Sequence, residues 1–284
     1  ERNSVLHKID IMVNKQGRRV FLDHKVFQRT SEYVLSFASL AFTPEGVSLF
    51  RNQPQERRRF FNRILSLLDS THLADLQSYK EVLSQKNMLL KKQQREAEIK
   101  PWNELLARYG VSIIKKRQKF VAQVNETLSS VFQELTGRED ALELQYEPAL
   151  RSWDKGEGSV LHEIESSLER ERQYGHALVG PHRDDYRMQL GERRDREFFS
   201  QGEYRITYLS LKLCINSVLI KKTGNHPVII LDDLFSELDQ RIVNHTISTL
   251  EKIENQVFIT STTLPQGGAV HGEKIQVFQG RVVE

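Results

Sequence analysis

Two adjacent carboxylates, Asp232 and Asp233, follow the continuous apolar run Val228–Leu231. Such a run is typical of a strand that is buried on both faces of a parallel sheet. At the end of such a strand, nucleotide-binding α/β sheets place acidic groups that hold Mg²⁺ and orient a water nucleophile. The alternative is an ordinary buried strand whose aspartate caps the next helix. The turn from Ser236 to Asp239, which follows directly, favours the first interpretation.

A second candidate site, Ser200-Gln201-Gly202, opens the helix that carries Leu209, Leu213 and Leu219. A Ser-x-Gly at a helix N-terminus presents a hydroxyl and free backbone N–H groups at the positive end of the helix dipole, which suits a phosphate. Alone, the arrangement is more often a simple helix cap. Its place ahead of the Asp-Asp strand makes the phosphate interpretation more specific. The run Gln256–Thr262 then predicts a neighbouring strand of the same sheet that ends in hydroxyls.

Other residue types that could do chemistry give weaker signals. The 9 histidines show neither His-x-x-x-His nor His-Glu-x-x-His spacing, so no metal ligation is predicted. His182, after Gly180-Pro181, is interpreted as a structural hydrogen-bonding residue. Trp102 and Trp153 are interpreted as packing residues, because no aromatic-basic pattern surrounds them.

The composition bounds the class of protein. The chain has 284 residues, 38% of them hydrophobic and 28% charged, which predicts a folded, soluble protein. No apolar run reaches the ~18 residues of a membrane span, so a membrane protein is excluded. A single cysteine, Cys214, fits a reducing compartment. The chain begins at Glu1 without Met or a leader, so we expect a cytoplasmic protein whose natural N-terminus is missing.

Charge is unevenly distributed along the chain. Residues 51–120 hold 16 Lys+Arg and 7 Asp+Glu, an excess of nine positive charges, whereas the other 214 residues sum to −6. Segregation on this scale indicates an anionic partner for the middle third, and nucleic acid is the commonest one. A solvated helical face is the alternative.

The elements that must position these residues begin with strands. Alternation at Ile9, Ile11 and Val13, followed by the turn residues 14–17, predicts a β-hairpin over residues 4–23. A second short strand is expected near Leu35–Phe42.

From about Gln55 the apolar period becomes that of a helix. Residues 56–98 contain no Gly or Pro and predict one long amphipathic helix, with Asp69-Ser70 as a candidate break. Pro101 suits the first turn of a further helix, whose apolar residues from Val121 to Leu135 have the spacing of a helix that packs on another helix. Gly137 is the expected C-cap. Residues 56–136 are therefore predicted to form a helical hairpin or small bundle.

Strand patterns return after this bundle, at residues 142–146 and 186–190, with a helix expected over Val160–Arg172. Because β structure brackets the helices, we predict a head formed by residues 1–50 and 138–284 and an inserted helical arm of residues 51–137.

Together these motifs resemble the signature motif, Walker B strand, D-loop and switch strand of ABC-type ATPases. Within that class the chain resembles the RecF recombination and repair family. The resemblance spans nearly the whole chain and implies an α/β fold: an ABC-type, P-loop NTPase-like ATPase head with an inserted α-helical arm. It rests on motifs in the family's order: Phe42-Thr43-Pro44-Glu45, Glu56-Arg57-Arg58-Arg59-Phe60, Val179-Gly180-Pro181-His182-Arg183-Asp184-Asp185, Ser200-Gln201-Gly202 with Arg205, and Leu231–Asp239.

The chain departs from the family's pattern at three places. No G-x-x-x-x-G-K-[ST] P-loop occurs in the 284 residues, so we expect a fragment that lacks the first segment of the head. The alternative is a naturally degenerate protein, which the other intact motifs disfavour. Glu203-Tyr204 stands where the family usually has two Gln, and Asn62 stands where an Asp is usual. The last two departures leave Ser200 and Gly202 in place but put family-specific contacts in doubt.

The resemblance implies ATP and Mg²⁺ as cofactors and assigns roles to single residues. Asp232 would hold Mg²⁺ through its water shell, and Asp233 would orient or deprotonate the attacking water. Because many ABC enzymes have the longer Glu at the second position, slow hydrolysis is expected. Residues that would meet ATP bound on a partner subunit, or line the same dimer seam, are Ser200, Gln201, Gly202, Ser236 and Asp239.

Arg57, Arg58 and Arg59 are candidate DNA phosphate contacts. Three consecutive residues span about 300° of a helix, so not all of them can face one partner. For each arginine the alternative is an ion pair with Glu56 or with a carboxylate of the head.

The function implied by the resemblance is ATP-dependent DNA binding in recombinational repair, replication-fork maintenance and the SOS response. The implied partners are duplex DNA or single-strand/duplex junctions, recombination mediator proteins and a second copy in an ATP-dependent homodimer. A slow DNA-dependent ATPase is expected of the intact protein, and no hydrolysis of this chain alone. The alternatives are a non-catalytic scaffold that docks a protein through its arm, and the ATPase subunit of another ABC-type assembly such as a transporter. The basic arm and the Asp-Asp strand end count against a transporter.

Overall fold

The computed structural model describes residues 8–14, 17–27, 39–194, 199–236, 238–262 and 271–283. The predictions that fall on residues 4–7, 15–16, 35–38, Phe198 and Glu237 lie outside the described residues. No helix in the described ranges is both long and apolar enough to cross a membrane.

Strands of the described part form four sheets. The predicted hairpin is confirmed in its described residues as β1 and β2, which pair antiparallel with β3 alongside β2. β4, β8 and β9 form a parallel sheet, and β5, β6 and β7 an antiparallel one. The bounds are β1 Ile9–Asn14, β2 Gly17–Leu22, β3 Lys25–Val26, β4 Ser39–Phe42, β5 Leu142–Glu147, β6 Asp185–Leu190, β7 Arg193–Arg194, β8 Val228–Leu231, β9 Val257–Ile259, and the separate hairpin β10 Gln276–Phe278 with β11 Arg281–Val283.

Helices fill the connections between these strands. Short 3₁₀ turns at residues 48–50, 153–155 and 181–183 join some of them. The bounds are α1 Pro44–Val47, α2 Pro54–Leu68, α3 Ser70–Lys91, α4 Glu96–Thr136, α5 Glu157–Ser166, α6 Leu168–Tyr174, α7 Gln201–Thr223 and α8 Gln240–Leu250.

The parallel sheet fixes where its strands end. β8 lies between β4 and β9, and Leu231 is in register with Phe42 on one side and Ile259 on the other. All three carboxyl ends therefore lie at one edge, which confirms the neighbouring position predicted for β9. Burial of β8 on both faces was predicted, and this is wrong: Ile230 is 37% exposed. Alternate side chains of a strand point to opposite faces, so Ile229 and Leu231, on either side of Ile230, face the core.

The helical region differs from the sequence pattern in its breaks. The candidate break is confirmed, because Asp69 has an extended backbone and its side chain accepts from the Thr71 N–H, capping α3. A second break, at residues 92–95, was not predicted, and Gln93 has φ +54 there. Pro101 was expected in a first turn, but α4 begins at Glu96 and the proline lies inside it. Two acidic residues in the first turn favour that earlier start.

Two further boundaries bear on the predictions. Gly137 ends α4 with φ +65, which confirms the C-cap. The single helix predicted over Val160–Arg172 is instead α5 and α6, separated at Ser167, whose hydroxyl donates to the Ile164 carbonyl.

The long helix α4 organises the packing. It lies against α3 and also against α7, α5 and β5. One apolar core therefore extends through α2, α4, α7 and the β4–β8–β9 sheet, continuous across residue 137. The division of the chain into a head and an arm stays a prediction.

Candidate functional site

Asp232 and Asp233 lie directly beyond the carboxyl end of β8. The Asp232 carboxylate accepts from the Thr260 hydroxyl at 2.5 Å, and the same hydroxyl accepts from the Asp233 N–H at 3.1 Å. Thr260 follows β9, so the neighbouring strand supplies the residue that orients the pair. Asp232 is exposed, which leaves its second carboxylate oxygen open to solvent.

The backbone at Asp233 has a conformation that few residues adopt. Its φ is +48, in the left-handed region that Asp and Asn tolerate best among residues other than Gly. The Ser236 hydroxyl donates to the Asp233 Oδ2 at 2.8 Å, and Nη1 of Arg205 donates to the Asp233 carbonyl at 2.9 Å. Arg205 belongs to α7, so this contact joins the strand end to the helix that Ser200 begins.

Ser200 is the N-cap of α7. Its hydroxyl accepts from the Glu203 N–H at 3.2 Å, and its own N–H donates to Oε2 of Glu203 at 2.9 Å, which completes a capping box. The Ser200 hydroxyl proton therefore stays available to a further acceptor. Gln201 accepts from Nη1 of Arg51 at 2.9 Å, and that guanidinium lies 4.1 Å from the ring centre of Tyr204.

Glu203 also forms ion pairs that connect the start of α7 to two other parts of the chain. Its Oε1 lies 2.8 Å from Nη2 of Arg193 in β7 and 3.1 Å from Nη1 of Arg138, just beyond α4. Partial burial would raise the pKa of this carboxyl, but the hydrogen bonds from Arg193, the Ser200 backbone and Arg138 lower it to about 2. Glu203 is thus ionised at any physiological pH.

The turn after the carboxylates ends in a helix cap. Asp239 accepts from the Ile242 N–H at 2.9 Å and begins α8. Asp239 and not Asp232 or Asp233 is therefore the N-cap of α8, so the alternative in which a strand-end aspartate caps the next helix is wrong. Asp239 remains exposed.

The three consecutive arginines have three different environments. Arg57 is fully buried, forms a bidentate pair with Asp185 at 2.7 and 3.0 Å, and donates to the Asn52 carbonyl. A guanidinium in that position cannot contact a phosphate, so the prediction of Arg57 as a DNA contact is wrong and its ion-pair alternative is confirmed.

Arg58 and Arg59 are more accessible. Arg58 is half-buried and donates to the Asp184 carbonyl at 2.6 Å. Arg59 is exposed and has no ion-pair partner in the part of the chain that the structure describes. Among the three, Arg59 is therefore the side chain that remains fully open to an external anion.

A second buried charge pair lies beside the first. Asp184 is fully buried and accepts from Arg117 of α4, from the Tyr146 hydroxyl and, at 2.8 Å, from the Ala149 N–H. We call these two pairs, Arg57–Asp185 and Arg117–Asp184, the arginine junction. The junction joins α2 and α4 to the start of β6.

His182 has a defined protonation state next to this junction. Its Nε2 faces the Ala177 carbonyl at 3.2 Å, and because a carbonyl only accepts, Nε2 carries the proton. Nδ1 then accepts from the Tyr79 hydroxyl at 2.7 Å. Burial lowers the pKa of His182 to about 4, so the ring is neutral. The interpretation of His182 as a structural hydrogen-bonding residue is confirmed by these contacts.

Comparison with known proteins decides the family. No family model matches the chain. A protein of Geotalea uraniireducens named DNA replication and repair protein RecF is 34% identical over 268 residues, covering 93% of this chain and 73% of that protein. A protein of the same name from Staphylococcus carnosus is 29% identical over 289 residues, covering 97% of this chain and 78% of that protein. The chain belongs to the RecF family.

Solved structures agree with this assignment. A structure described as the recombination mediator protein RecF-ATP in the RecFOR pathway superimposes with a TM-score of 0.83 at 28% identity, covering 98% of this chain and 76% of that one. A RecF-ATPrS structure described in the same words has a TM-score of 0.81 at 26% identity. The ABC-type ATPase fold expected from the RecF motifs is therefore confirmed.

Both of the substitutions in the RecF motifs have partners here. Glu203 meets Arg138 and Arg193, as described above. Asn62 accepts from Nη2 of Arg117 at 3.0 Å and lies 3.4 Å from Nε2 of His72. A neutral amide at this position avoids a third carboxylate beside the arginine junction.

Two contacts at the strand end were not found from the sequence. The role of Thr260 in orienting Asp232 depends on strand register, and the bridge from Arg205 to the Asp233 carbonyl depends on how α7 packs. The only sequence signals were the hydroxyls after β9 and the presence of Arg205 in the RecF signature motif.

Proposed function

We propose that this chain is part of an ATP-dependent DNA-binding protein that acts in recombinational DNA repair and replication-fork maintenance. ATP bound between two copies would gate dimerisation, and hydrolysis would be slow. The observation that carries the proposal is the contact from Arg205 to the Asp233 carbonyl at 2.9 Å. The contact joins two motifs of one chain. In ABC-type ATPases the strand-end motif contacts the chain's own nucleotide, and the signature motif contacts the nucleotide of the partner subunit.

The residues of this chain that would contact ATP and Mg²⁺ have the chemistry that both require. Mg²⁺ in phosphoryl-transfer sites is held by one or two carboxylates together with substrate phosphates and water. Asp232 offers such a carboxylate, with one oxygen fixed by Thr260 and the other exposed. In the described ranges no cluster of three or more His, Cys, Asp or Glu forms a metal site of its own. Mg²⁺ would therefore depend on the nucleotide, whose phosphate charge it would neutralise.

Each residue then has one part in the proposed reaction. Asp233 would accept the proton of the attacking water or orient it, with Ser236 fixing the carboxylate at 2.8 Å. Ser200 would donate its free hydroxyl proton to a γ-phosphate oxygen held by the partner subunit. Gln201, Gly202 and Asp239 would line the same seam.

Among the candidate DNA contacts, the proposal keeps Arg59 and, with a smaller role, Arg58. The excess of positive charge over residues 51–120 supports a DNA surface on α2 to α4. Recombination mediator proteins and junction DNA are proposed partners, because similar RecF structures are described as parts of the RecFOR pathway.

The experiment uses the complete gene product and a fluorescein-labelled DNA duplex. Ser200→Asp and Ser200→Asn are a matched pair, since both side chains cap a helix and only Asp adds a charge facing the phosphate. Fluorescence anisotropy is expected to show tighter DNA binding with Mg-ATP for the wild type and for Ser200→Asn, and no ATP effect for Ser200→Asp. Equal ATP effects in both variants would refute the proposed seam.

A further inference from the structure

A concave groove lies between the last turn of α2, the middle of α4 and the last turns of α7. Its cavity volume is 390 Å³, within the range of ~300–1,000 Å³ that is usual for ligand sites. Its lining includes neither the strand-end aspartates nor the start of α7. The groove is therefore separate from the residues that the proposed function uses.

The floor of the groove is apolar and comes from three helices. Leu65 and Leu68 belong to α2, Phe120 to α4 and Val218 to α7. Leu65 and Phe120 are buried, whereas Leu68 and Val218 are half-buried and accessible from the groove. A floor supplied by packed helices is rigid, which favours binding of a complementary surface without reorganisation.

The rim of the groove is basic. Lys116 is neutralised by Asp75, whose Oδ2 lies 2.7 Å from its Nζ. Lys221 lies 3.7 Å from Glu126, an exposed pair that contributes little.

Two more rim lysines, Lys119 and Lys222, are exposed, and neither has an ion-pair partner among the residues that the structure describes. The rim therefore offers two or three positive charges to a ligand.

We propose that this groove binds an acidic amphipathic helix of a partner protein. Such a helix places apolar side chains three and four residues apart into an apolar groove and carries acidic residues along both flanks. The flanking carboxylates would meet Lys119, Lys222 and Lys221.

DNA fits this surface less well. A duplex backbone gains from the lysines alone, because phosphates gain nothing from an apolar floor. The apolar floor therefore favours an amphipathic acidic peptide over a duplex.

The test uses this chain and a fluorescein-labelled model helix with leucines at helical spacing and glutamates between them. A second helix has lysines in place of the glutamates. The variant Lys119→Glu with Lys222→Glu reverses the rim. The control, Lys80→Glu with Lys100→Glu, makes the same change of net charge at exposed lysines of α3 and α4 outside the groove. Val218→Asn tests the floor.

The glutamate helix is expected to bind the wild type and the control alike, and about tenfold more weakly the rim variant. Val218→Asn is expected to weaken binding about threefold. Rising salt should weaken binding, and the lysine helix should not bind. Absence of binding, equal binding of both helices or an unaffected rim variant would overturn the proposal. So would a rim variant that loses affinity for duplex DNA while the wild type ignores the glutamate helix.

Discussion

The strand end and the arginine junction each contain two adjacent aspartates, in opposite environments. At the strand end, Asp232 is exposed and is fixed by a neutral hydroxyl, and no arginine of the described residues contacts its carboxylate. At the junction, Asp184 is fully buried and paired with Arg117. A carboxylate that keeps an open oxygen can bind an ion or a water, whereas a buried pair fixes the geometry of the elements it joins. Burial, more than residue type, therefore separates a candidate reaction site from a structural one.

The strongest way to test this contrast is to remove one charge from each region. Asp184→Asn leaves Arg117 charged and buried without its counterion, which should lower the free energy of unfolding by about 3–5 kcal/mol. Asp232→Asn changes an exposed group and should alter it by less than about 0.5 kcal/mol. Urea denaturation followed by circular dichroism measures both. Similar losses in the two variants would show that the strand end is as structural as the junction.

Arg57 and Arg59 provide the next comparison, two positions apart on α2. Arg57→Ala should cost about 2–3 kcal/mol of unfolding free energy, less than the Asp184 change because Asp185 keeps a second guanidinium partner, Arg187, at 3.0 Å. Arg59→Ala should leave stability within about 0.5 kcal/mol of the wild type. Urea denaturation measures the stability of both variants. An Arg59 variant that is less stable than the Arg57 variant would contradict this prediction.

The pH dependence of stability tests two histidines next to the junction, the buried His72 and the half-buried His182. Burial lowers the pKa values of His72 and His182 to about 4, below the ordinary value near 6.5. Between these values the unfolded chain binds more protons than the folded one, so stability falls as pH falls from 6.5 to 4. Each histidine should contribute about 2–3 kcal/mol to this loss. Denaturation at stepped pH should show a shallower loss for His182→Gln, and an unchanged profile would place its folded pKa near 6.5.

The smallest expected effect concerns DNA. If Arg59 contacts a phosphate, Arg59→Ala should make the slope of log affinity against log salt shallower by about 0.9, without changing sequence preference. Lys274→Ala, a change at an exposed lysine outside residues 51–120, is the control and should leave the slope unchanged. Titration of a labelled duplex at several salt concentrations measures the slope. An unchanged slope with intact folding would remove Arg59 from the proposed DNA surface.

Much of the fold could be predicted from the sequence because its patterns are local. The alternation of β1, the apolar run of β8 and the caps at Ser200 and Gly137 each depend on residues within a few positions. The buried ion pair of Arg57 could not be predicted, because its partner Asp185 lies 128 residues away and the burial of Arg57 depends on how α2 packs. The break at residues 92–95 was missed because those residues remain compatible with a helix, and only the close packing of α3 against α4 requires a turn there.

Dimerisation of the complete gene product tests the central claim most directly. Asp233→Asn preserves the shape of the proposed base and removes its charge, so sedimentation velocity with Mg-ATP should show dimers that accumulate and persist. Without ATP the same variant should be monomeric, and Ser200→Asp should stay monomeric under both conditions. Dimers that form equally with and without ATP, or an Asp233→Asn variant that loses ATP binding together with hydrolysis, would contradict a nucleotide shared at the seam.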